Sequence, residues 1–212
     1  MSLPQPYYQD DAVVIYHADC RAILPELGPV DAVVTDPPYG IGCDYASYDD
    51  SAANLDALLV DAIPLFMHAA SVIALTPGVA NVHRYPAPKW ILAWFWSGGG
   101  GSGPWGFSQW QPVLVYGPDP YLKNGLGRRP DAINVQATPD SVDHPCPKPN
   151  AVMRWLVDRV SMPGNFVLDP LMGSGTTLRA AKDLGRKAIG IEIEERYCEI
   201  AAKRMAQEVL PL

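Results

Sequence analysis

The feature of this sequence that most constrains its fold is an alternation of short β-branched runs with segments whose apolar residues recur at helical spacing. Residues 12–16 and 30–35 are two such runs, and residues 21–27 between them indicate one or two helical turns. A helical pattern follows over residues 54–70, although Pro64 weakens its continuity, and residues 71–75 then form another apolar run. The first third of the chain therefore predicts a strand–helix–strand–helix–strand succession.

A second block with the same rhythm occupies the last third of the chain. We predict helices over residues 150–160, 174–184 and 194–209, with strands at residues 166–168 and 188–191. Strands that alternate with helices in this way favour a mainly parallel sheet covered by helices on both faces.

The middle of the chain, residues 76–149, has a different texture. It contains most of the prolines, five of the six tryptophans and the glycine-rich run at residues 98–103. Residues 90–96 and 113–116 could pair as antiparallel strands around that run and extend the sheet at one edge. With 212 residues in all, we expect one domain, residues 1–212, in which residues 76–149 are a variable insert.

The charge of the chain limits how it can bind nucleic acid. A formal net charge of −7 argues against a protein that coats a polyanion by charge alone, because phosphate binding normally needs a basic surface. The imbalance is regional: residues 1–79 hold one Arg and eleven acidic residues, whereas residues 80–150 hold six Lys or Arg and four Asp. In the middle of the chain, negative charge therefore opposes contact with a polyanion least.

Other classes of protein are disfavoured by composition. No stretch approaches the roughly 18 uninterrupted apolar residues of a membrane span, and the first residues lack a signal-peptide pattern. We therefore expect a cytoplasmic protein that does not bind or span a membrane. The cysteines form no CxxC pair and the histidines no ligand spacing, so we expect reduced thiols and no metal site. These residues are Cys20, Cys43, Cys146, Cys198, His17, His68, His83 and His144.

The first chemical motif lies where a predicted strand passes into a helix, at residues 167–177. Gly173 and Gly175 let the backbone approach a ligand and expose amides at the start of a helix, which suits a nucleotide-like or carboxylate-bearing cofactor. The next strand ends in Glu192, where an acid in nucleotide-binding folds accepts hydrogen bonds from ribose hydroxyls. A plain strand-to-helix turn with a Ser or Thr cap is the alternative for the loop, and a solvated strand-end acid is the alternative for Glu192.

The second motif is Asp36-Pro37-Pro38-Tyr39, directly after the strand at residues 30–35. Two prolines remove two backbone donors, so the loop offers carbonyl oxygens and a carboxylate as acceptors while Tyr39 offers a flat face. Such a loop is suited to a planar ligand that bears an amino group. The alternative is an ordinary Pro-Pro turn with an Asp side chain that caps the backbone.

Together these motifs resemble the β-group of amino-methylating DNA methyltransferases, in which the Asp-Pro-Pro-Tyr loop precedes the cofactor loop. The resemblance covers residues 7–40 and 144–208. The opening at residues 6–11 further resembles small phage and prophage methyltransferases. The matching motifs are Tyr16-His17-Ala18-Asp19-Cys20, Asp36-Pro37-Pro38-Tyr39, His144-Pro145-Cys146-Pro147-Lys148-Pro149, the loop from Asp169 to Thr177, and the stretch from Gly190-Ile191-Glu192 to Arg196-Tyr197.

The resemblance implies a Rossmann-like class I methyltransferase fold, α/β, with a mainly parallel seven-stranded sheet and an antiparallel edge hairpin. It implies S-adenosylmethionine as cofactor and transfer of its methyl group to the exocyclic amine of a flipped DNA base, adenine N6 in preference to cytosine N4 because the loop begins with Asp36. Asp36 and Pro37 would hold the amine beside Pro38, and Tyr39 would stack on the base. The implied cofactor residues are Asp19, Cys20, Asp36, Lys148, Asp169, Pro170, Met172, Gly173, Ser174, Gly175, Thr176, Glu192 and Ile193.

Within that reading, Asp19 would contact the adenine of the cofactor and Glu192 the ribose. Lys148 and the loop from Asp169 would contact the methionine end. A surface lysine between prolines is the alternative for Lys148.

Further candidates for contact with DNA lie in the middle of the chain. Trp105 and Trp110 flank a short Gly-Phe-Ser segment and could stack on bases, and Arg128 and Arg129 could bind phosphates. Core packing for the tryptophans and a solvated turn for the arginines are the alternatives. No segment is long and basic enough to be a separate target-recognition domain, and a homodimer remains open.

Three rival functions are compatible with the same motifs. One is methylation of cytosine N4 in DNA, and another is methylation of RNA bases or of protein amides. Enzymes of the latter kind place the glycine loop before the Pro-Pro-Tyr loop, whereas here Asp36 precedes Gly173. The third is a non-catalytic module that binds cofactor or DNA and regulates a partner.

Overall fold

The computed structural model describes residues 3–96, 102–136 and 148–207. Most of the predicted glycine-rich run, residues 98–101, lies outside the described residues. The His144-Pro145-Cys146-Pro147 motif also lies outside them, as do the last residues of the predicted C-terminal helix.

A single large sheet organises the described part of the chain. Its nine strands lie in the order β1-β2-β11-β10-β3-β4-β8-β5-β9, with β6 and β7 as a separate small hairpin. The strands are β1 (Tyr8–Gln9), β2 (Val13–His17), β3 (Val30–Thr35), β4 (Ala70–Leu75), β5 (Trp90–Phe95), β6 (Ser102–Gly103), β7 (Gly106–Phe107), β8 (Trp110–Tyr116), β9 (Ala132–Asn134), β10 (Phe166–Asp169) and β11 (Lys187–Glu192). The α-helices are α1 (Cys20–Ile23), α2 (Ala52–Ala69), α3 (Pro120–Lys123), α4 (Asn150–Val160), α5 (Thr176–Asp183) and α6 (Glu195–Ala206).

The central strands β2, β11, β10, β3 and β4 are all parallel, which confirms the predicted mainly parallel α/β sheet. β8 pairs antiparallel with β4, and β5 pairs antiparallel with β8, as the apolar segments predicted. These seven strands are the expected set. The sheet is nevertheless wider than seven strands, because β1 folds back on β2 at one edge and β9 adds to β5 at the other.

Helices cover both faces of the sheet, as predicted. Successive side chains of a strand point to opposite faces, so Ala32 and Val34 of β3 belong to one apolar cluster and Val33 to the other. The first cluster is completed by α4, α5 and α6, and the second by α1 and α2. Each fully buried large side chain in these clusters contributes about 1.5–3 kcal/mol of hydrophobic stabilisation.

The helix α2 is continuous through Pro64, which the sequence pattern left uncertain. Pro64 lies on the exposed face, and the carbonyl it leaves unpaired belongs to Val60, whose side chain is 73% exposed, so water can satisfy that carbonyl. Among the described residues, this helix alone is long and apolar enough to cross a membrane by length and composition, a test that core helices of soluble proteins also pass. Its buried face packs on the sheet.

The parallel strands all end at one edge of the sheet, and the predicted site residues follow those ends. β2 ends two residues before Asp19, β3 directly before Asp36, β10 at Asp169 and β11 at Glu192. Ligands of open α/β sheets bind outside the carboxyl ends of the strands. The topology thus gathers motifs that lie up to 173 residues apart in the sequence, from Asp19 to Glu192.

Candidate active site

A cavity of about 430 Å³ opens at the carboxyl edge of the sheet, within the usual size range of small-molecule sites. Most of the predicted site residues line it. They are Asp19, Cys20, Asp36, Pro38, Lys148, Asp169, Pro170, Met172, Gly173, Ser174, Thr176, Glu192 and Ile193. Pro37, Tyr39 and Gly175 do not line this cavity.

The carboxylate of Asp36 is the centre of a hydrogen-bonded cluster at one side of the cavity. Its Oδ1 accepts a hydrogen bond from the Tyr39 hydroxyl at 2.7 Å and another from the hydroxyl of Thr76, the residue that follows β4. Its Oδ2 accepts one from Lys148 Nζ at 2.7 Å, and the same ammonium donates to the Tyr39 hydroxyl oxygen at 2.7 Å. Lys148 and Asp36 are 10% and 21% exposed, so this is a largely buried ion pair.

This environment fixes the protonation states of the two partners. Burial and the charge of Asp36 hold the pKa of Tyr39 well above its usual range. Burial by itself would lower the pKa of Lys148, but the neighbouring Asp36 and Tyr39 outweigh it and raise that pKa. At neutral pH, Tyr39 is therefore a neutral hydroxyl and Lys148 a cation.

The prolines of this loop leave few backbone groups to hold a ligand. The carbonyl of Tyr39 accepts a hydrogen bond from the side-chain amide of Asn81 at 2.8 Å. A second acceptor beside Asp36 must therefore come from Pro37 or Pro38, which have no N–H of their own.

A buried carboxylate, Asp50, holds the chain directly after this loop. Its oxygens accept hydrogen bonds from the backbone amides of Gly40 at 2.6 Å, Cys43 at 3.0 Å and Ile41 at 3.2 Å. Gly40 adopts a positive φ of 68°, and a Cβ there would lie 3.0 Å from the backbone of Ala52. The turn that follows Tyr39 is thus tightly specified.

Asp169 is the last residue of β10, next to the end of the neighbouring strand β3, and it is only 2% exposed. It accepts hydrogen bonds from the hydroxyl of Thr35 at 2.9 Å and from the backbone amide of Leu171 at 3.2 Å. Burial raises the pKa of Asp169 to about 7, although hydrogen bonds from Thr177 and Thr35 oppose the shift.

Glu192 closes the glycine loop from the neighbouring strand. One of its oxygens accepts the amide of Gly173 at 2.9 Å and the other the amide of Glu194 at 2.8 Å, and burial raises its pKa. Gly173 faces the cavity, whereas Gly175 is turned away from it. A Cβ at Gly175 would lie 2.8 Å from that of Ala201 in α6, so this glycine allows close helix packing, and its predicted contact with the cofactor stays a prediction.

The other end of the cavity is formed by the residues after β2. Asp19 caps α1 by accepting the backbone amide of Arg21 at 2.8 Å, and its carboxylate also pairs with the Arg21 guanidinium, with a shortest contact of 2.6 Å. This guanidinium lowers the pKa of Asp19. Two further residues line this end of the cavity: Cys20 is buried, and Ile193 is about half exposed.

Residues 41–50 form a strap across the mouth of the cavity, and the sequence patterns did not indicate it. The backbone amide and the hydroxyl of Ser47 both donate to Glu194, at 3.1 and 3.0 Å, so the strap joins the β3 side of the cavity to the start of α6. Tyr45 and Tyr48 line the cavity from this strap in an edge-to-face pair with ring centroids 6.3 Å apart. The only available signal was positional, because a connection that leaves β3 must lie at the carboxyl edge.

Several further residues that line the cavity were not predicted as site residues, some from within the quoted motifs and others from α2 and α4, which carry no motif. They are Ala18, Arg21, Asp49, Asn54, Ala57, Leu58, Met153, Leu171, Thr177, Ile191, Glu194 and Tyr197.

The β6–β7 hairpin presents exposed aromatic side chains. Trp105 at its tip is fully exposed and Phe107 is 78% exposed. Trp110 is 37% exposed and its ring lies 6.4 Å from that of Phe95. The predicted pair Trp105 and Trp110 is therefore on the surface rather than in the core.

The register of the sheet places this hairpin at the catalytic edge. Leu114 pairs with Leu75, the last residue of β4, and Trp110 lies four residues farther along β8. At about 3.3 Å per residue, Trp110 lies about 13 Å beyond the Leu114–Leu75 pair along the strand direction, toward the carboxyl edge of the sheet, where Asp36 lies.

The structure does not support the predicted phosphate contact for Arg129. Its guanidinium donates to the carboxylate and carbonyl of Asp158 at 3.0 and 2.9 Å and to the carbonyl of Arg159 at 2.7 Å, so it caps the end of α4. Asp158 also pairs with Arg186, which directly precedes β11, so the cluster lies at the amino edge of the sheet, opposite the cavity. Arg128 is exposed on the same turn.

The cavity suits a cofactor with an adenosine and an amino acid end. Acidic side chains follow β2 and β11 at Asp19 and Glu192, and the Gly173 loop leads into the start of α5. Within the described ranges, no group of three or more His, Cys, Asp or Glu side chains could hold a metal ion.

A comparison with protein families decides the identity of the chain. The profile of the N6/N4 methyltransferase family, described as DNA methylase, matches residues 88–203, more than half of the sequence. This chain belongs to the N6/N4 DNA methylase family. DNA is the substrate of this family and S-adenosylmethionine its methyl donor, so this DNA methylase is an S-adenosylmethionine-dependent enzyme.

Individual relatives agree with this assignment. The methylase is 26% identical to the type II methyltransferase M.ScaI of Streptomyces caespitosus, in an alignment that covers all of this chain and 87% of M.ScaI. A 65-residue stretch is 43% identical to M2.DpnII of Streptococcus pneumoniae, over 31% of this chain and 24% of that protein.

Solved structures confirm the class I methyltransferase fold. The M1.HpyAVI–SAM complex superposes with a TM-score of 0.68 at 24% identity, over 92% of this chain and all of that one. The cytosine-N4-specific PvuII DNA methyltransferase superposes with a TM-score of 0.71 at 15% identity, over 97% of this chain and 90% of that one.

Proposed function

We propose that this DNA methylase methylates N6 of an adenine that is flipped out of the duplex, with Asp36 and Pro37 as the groups that hold the target amine. The observation that carries the proposal is the position of the Asp36 carboxylate. It follows β3 directly, lines the cavity and is held there by hydrogen bonds from Tyr39, Thr76 and Lys148.

The proposed cofactor site uses the residues that line the same cavity. Glu192 would accept the ribose hydroxyls, Asp19 and Cys20 would lie beside the adenine with Ile193, and the loop from Asp169 would surround the methionine end. The bound cofactor supplies a methyl group on a positively charged sulfur. The other proposed contacts of that loop are Pro170, Met172, Gly173, Ser174 and Thr176.

Asp36 has the capacity to accept one more hydrogen bond. A carboxylate offers about four lone-pair sites, and three are occupied by the donors from Tyr39, Thr76 and Lys148. The remaining site is on Oδ2. An amine hydrogen bonded there, with the second hydrogen on the Pro37 carbonyl, would keep the nitrogen lone pair out of the ring and directed at the methyl group. The chain thus acts by position and by acceptance of hydrogen bonds.

Tyr39 would stack on the flipped base through its ring. Its hydroxyl is engaged with Asp36 and Lys148, so the ring orientation is fixed before the base arrives. A preset ring loses little conformational entropy when the base stacks.

The choice of adenine N6 over cytosine N4 rests on the first residue of the loop. In the β-group of DNA methyltransferases that the sequence resembles, the enzymes that modify cytosine more often carry Ser where this chain has Asp36. The order of motifs, with Asp36 before Gly173, disfavours the RNA-base and protein-amide reactions. The complete set of acceptors around the cavity disfavours a regulator without activity.

DNA would be contacted mainly through the exposed aromatic hairpin with Trp105 and Trp110, which lies at the edge where Asp36 is found. We further propose that residues 1–212 act as one catalytic domain in the cytoplasm. A second copy could supply the missing DNA contacts, since the chain has a net charge of −7.

The proposal is tested with tritiated S-adenosylmethionine and separate pools of unmethylated duplex DNA, single-stranded DNA and RNA. Digestion of the product and mass spectrometry of the nucleosides then identify the methylated base. We expect label in duplex DNA as N6-methyladenine. N4-methylcytosine as the product would overturn the choice of base. Label confined to RNA would overturn the choice of substrate, and an absence of label from all three pools would overturn the proposed activity.

A further inference from the structure

We propose that Lys148 is a positioning residue that holds the catalytic carboxylate of Asp36, and is not a ligand of the methionine end of the cofactor. The inference deepens the proposed function, on which it rests, because it assigns Lys148 a part in holding the target amine. It departs from the role that the resemblance implies for this lysine.

The first argument is geometric. Lys148 Nζ lies 2.7 Å from Asp36 Oδ2 and 2.7 Å from the Tyr39 hydroxyl, which itself donates to Asp36 Oδ1 at 2.7 Å. These three contacts close a triangle. A carboxylate held at both oxygens cannot rotate, so the free lone pair of Oδ2 keeps one direction toward the cavity.

The second argument concerns charge. An ammonium group has three donors, and the triangle uses two of them on groups of this one cluster. The side chain is only 10% exposed, so removal of either partner would leave a buried charge without compensation. Lys148 and Asp36 therefore depend on each other even when no cofactor is bound.

The third argument is chemical. A carboxylate suits an amine hydrogen because both of its oxygens accept hydrogen bonds and neither presents a donor to the amine. Lys148 donates to the same carboxylate, so the negative charge of Asp36 is compensated within the cluster.

The pairing is tested in the cofactor-free protein by a double-mutant cycle of thermal unfolding. Lys148→Met and Asp36→Asn should each lower the melting temperature, and the double variant should melt higher than the sum of the two losses predicts, because no unpaired charge remains. Lys203→Met and Glu199→Gln are the matched control, since that pair is 72% and 58% exposed and should show almost no coupling. Additive losses at Lys148 and Asp36 would refute the pairing.

The role in transfer is tested by two further measurements on Lys148→Met. We expect its dissociation constant for S-adenosylmethionine to stay within about threefold of the intact enzyme. Its single-turnover rate at saturating cofactor should fall about 100-fold or more. A cofactor affinity that falls tenfold or more, with the saturated rate unchanged, would instead make Lys148 a cofactor ligand.

A milder variant keeps the test decisive if Lys148→Met does not fold. Lys148→Gln retains a donor but no charge, and it should show the same split between cofactor affinity and rate. Failure of the proposed function is separable from failure of this inference. If the intact enzyme methylates no DNA, the proposed function is refuted, whereas the unfolding cycle still decides whether Lys148 and Asp36 are paired.

Discussion

Two carboxyl groups at the carboxyl edge have opposite environments, which gives them different tasks. Asp36 is surrounded by a cation and two hydroxyl groups, and it remains partly open to the cavity. Asp169 is enclosed, with the Thr35 hydroxyl and the Leu171 amide as donors, and burial raises its pKa to about 7. Neighbouring carboxyl groups with such different surroundings are typical of active sites.

The raised pKa of Asp169 gives a testable pH dependence of stability. A carboxyl group whose pKa is higher in the folded protein contributes stability that is complete below about pH 4 and is lost as the pH rises to about 7. Asp169→Asn keeps an acceptor but does not ionise. The variant should therefore gain stability relative to the parent by a few kcal/mol, roughly, between pH 4 and 7, as measured by urea unfolding at each pH. A difference that does not change with pH would contradict this account.

At the residue scale, the sequence predicts which side chains reach the cavity better than it predicts what they bind. Asp19, Asp36 and Glu192 follow strand ends, and a parallel sheet brings such ends together. The contact between Thr76 and Asp36 requires that β4 lie beside β3, which no local pattern states. The contacts of Arg129 with the end of α4 could not be predicted, because a pair of arginines in a turn gives no sign that this helix end lies within reach.

At the scale of elements, the strap of residues 41–50 is held at its base by a buried carboxylate. Asp50 is 2% exposed and accepts the backbone amides of Gly40, Ile41 and Cys43. Its removal would leave those donors unsatisfied beside the catalytic loop.

We expect Asp50→Ala to lower the free energy of unfolding by about 2–4 kcal/mol, because charge-assisted hydrogen bonds are lost from a buried site. Asp49→Ala is the control, since Asp49 is exposed and contacts Asn54, and it should cost less than about 1 kcal/mol. Chemical denaturation of both variants makes the comparison. Equal losses would show that Asp50 does not organise the strap.

The aromatic hairpin β6–β7 is the element most suited to contact with DNA. Trp105→Ala should weaken binding to duplex DNA about tenfold without a change in stability, because the side chain is fully exposed and contacts of aromatic rings with bases contribute about 1–3 kcal/mol each. Trp90→Ala is the matched control, because Trp90 is 61% exposed and begins β5 at the opposite edge. Fluorescence anisotropy with labelled DNA should separate the two variants. Equal affinities would exclude the hairpin from the interface.

Long elements were predicted well and short ones were not. The bounds of β3 and α4 agree with the apolar patterns, since both elements bury residues at a clear period. β1, β6, β7 and β9 have two or three residues each, which is too few to show any period. Their pairing depends on the neighbouring strand rather than on their own sequence.

At the scale of the whole molecule, the sheet order explains why distant motifs form one site. β10 and β11 from the end of the chain lie between β2 and β3 from its beginning. The cavity therefore combines both blocks that the sequence separates by the middle region. That region is not a detached insert, because β5, β8 and β9 extend the same sheet.

The central claim is that the Asp36 carboxylate holds the target amine beside a bound cofactor, and Asp36→Ala tests it most directly. The measurement is single-turnover transfer of a tritiated methyl group to duplex DNA, together with the cofactor dissociation constant of the same variant. Asp11→Asn serves as the control, because Asp11 is exposed and precedes the start of β2, at the edge of the sheet opposite the cavity. The account predicts a loss of rate of about 1,000-fold or more for Asp36→Ala, with cofactor affinity within about threefold of the parent. A variant that binds cofactor normally and still transfers methyl groups at the parent rate would contradict it.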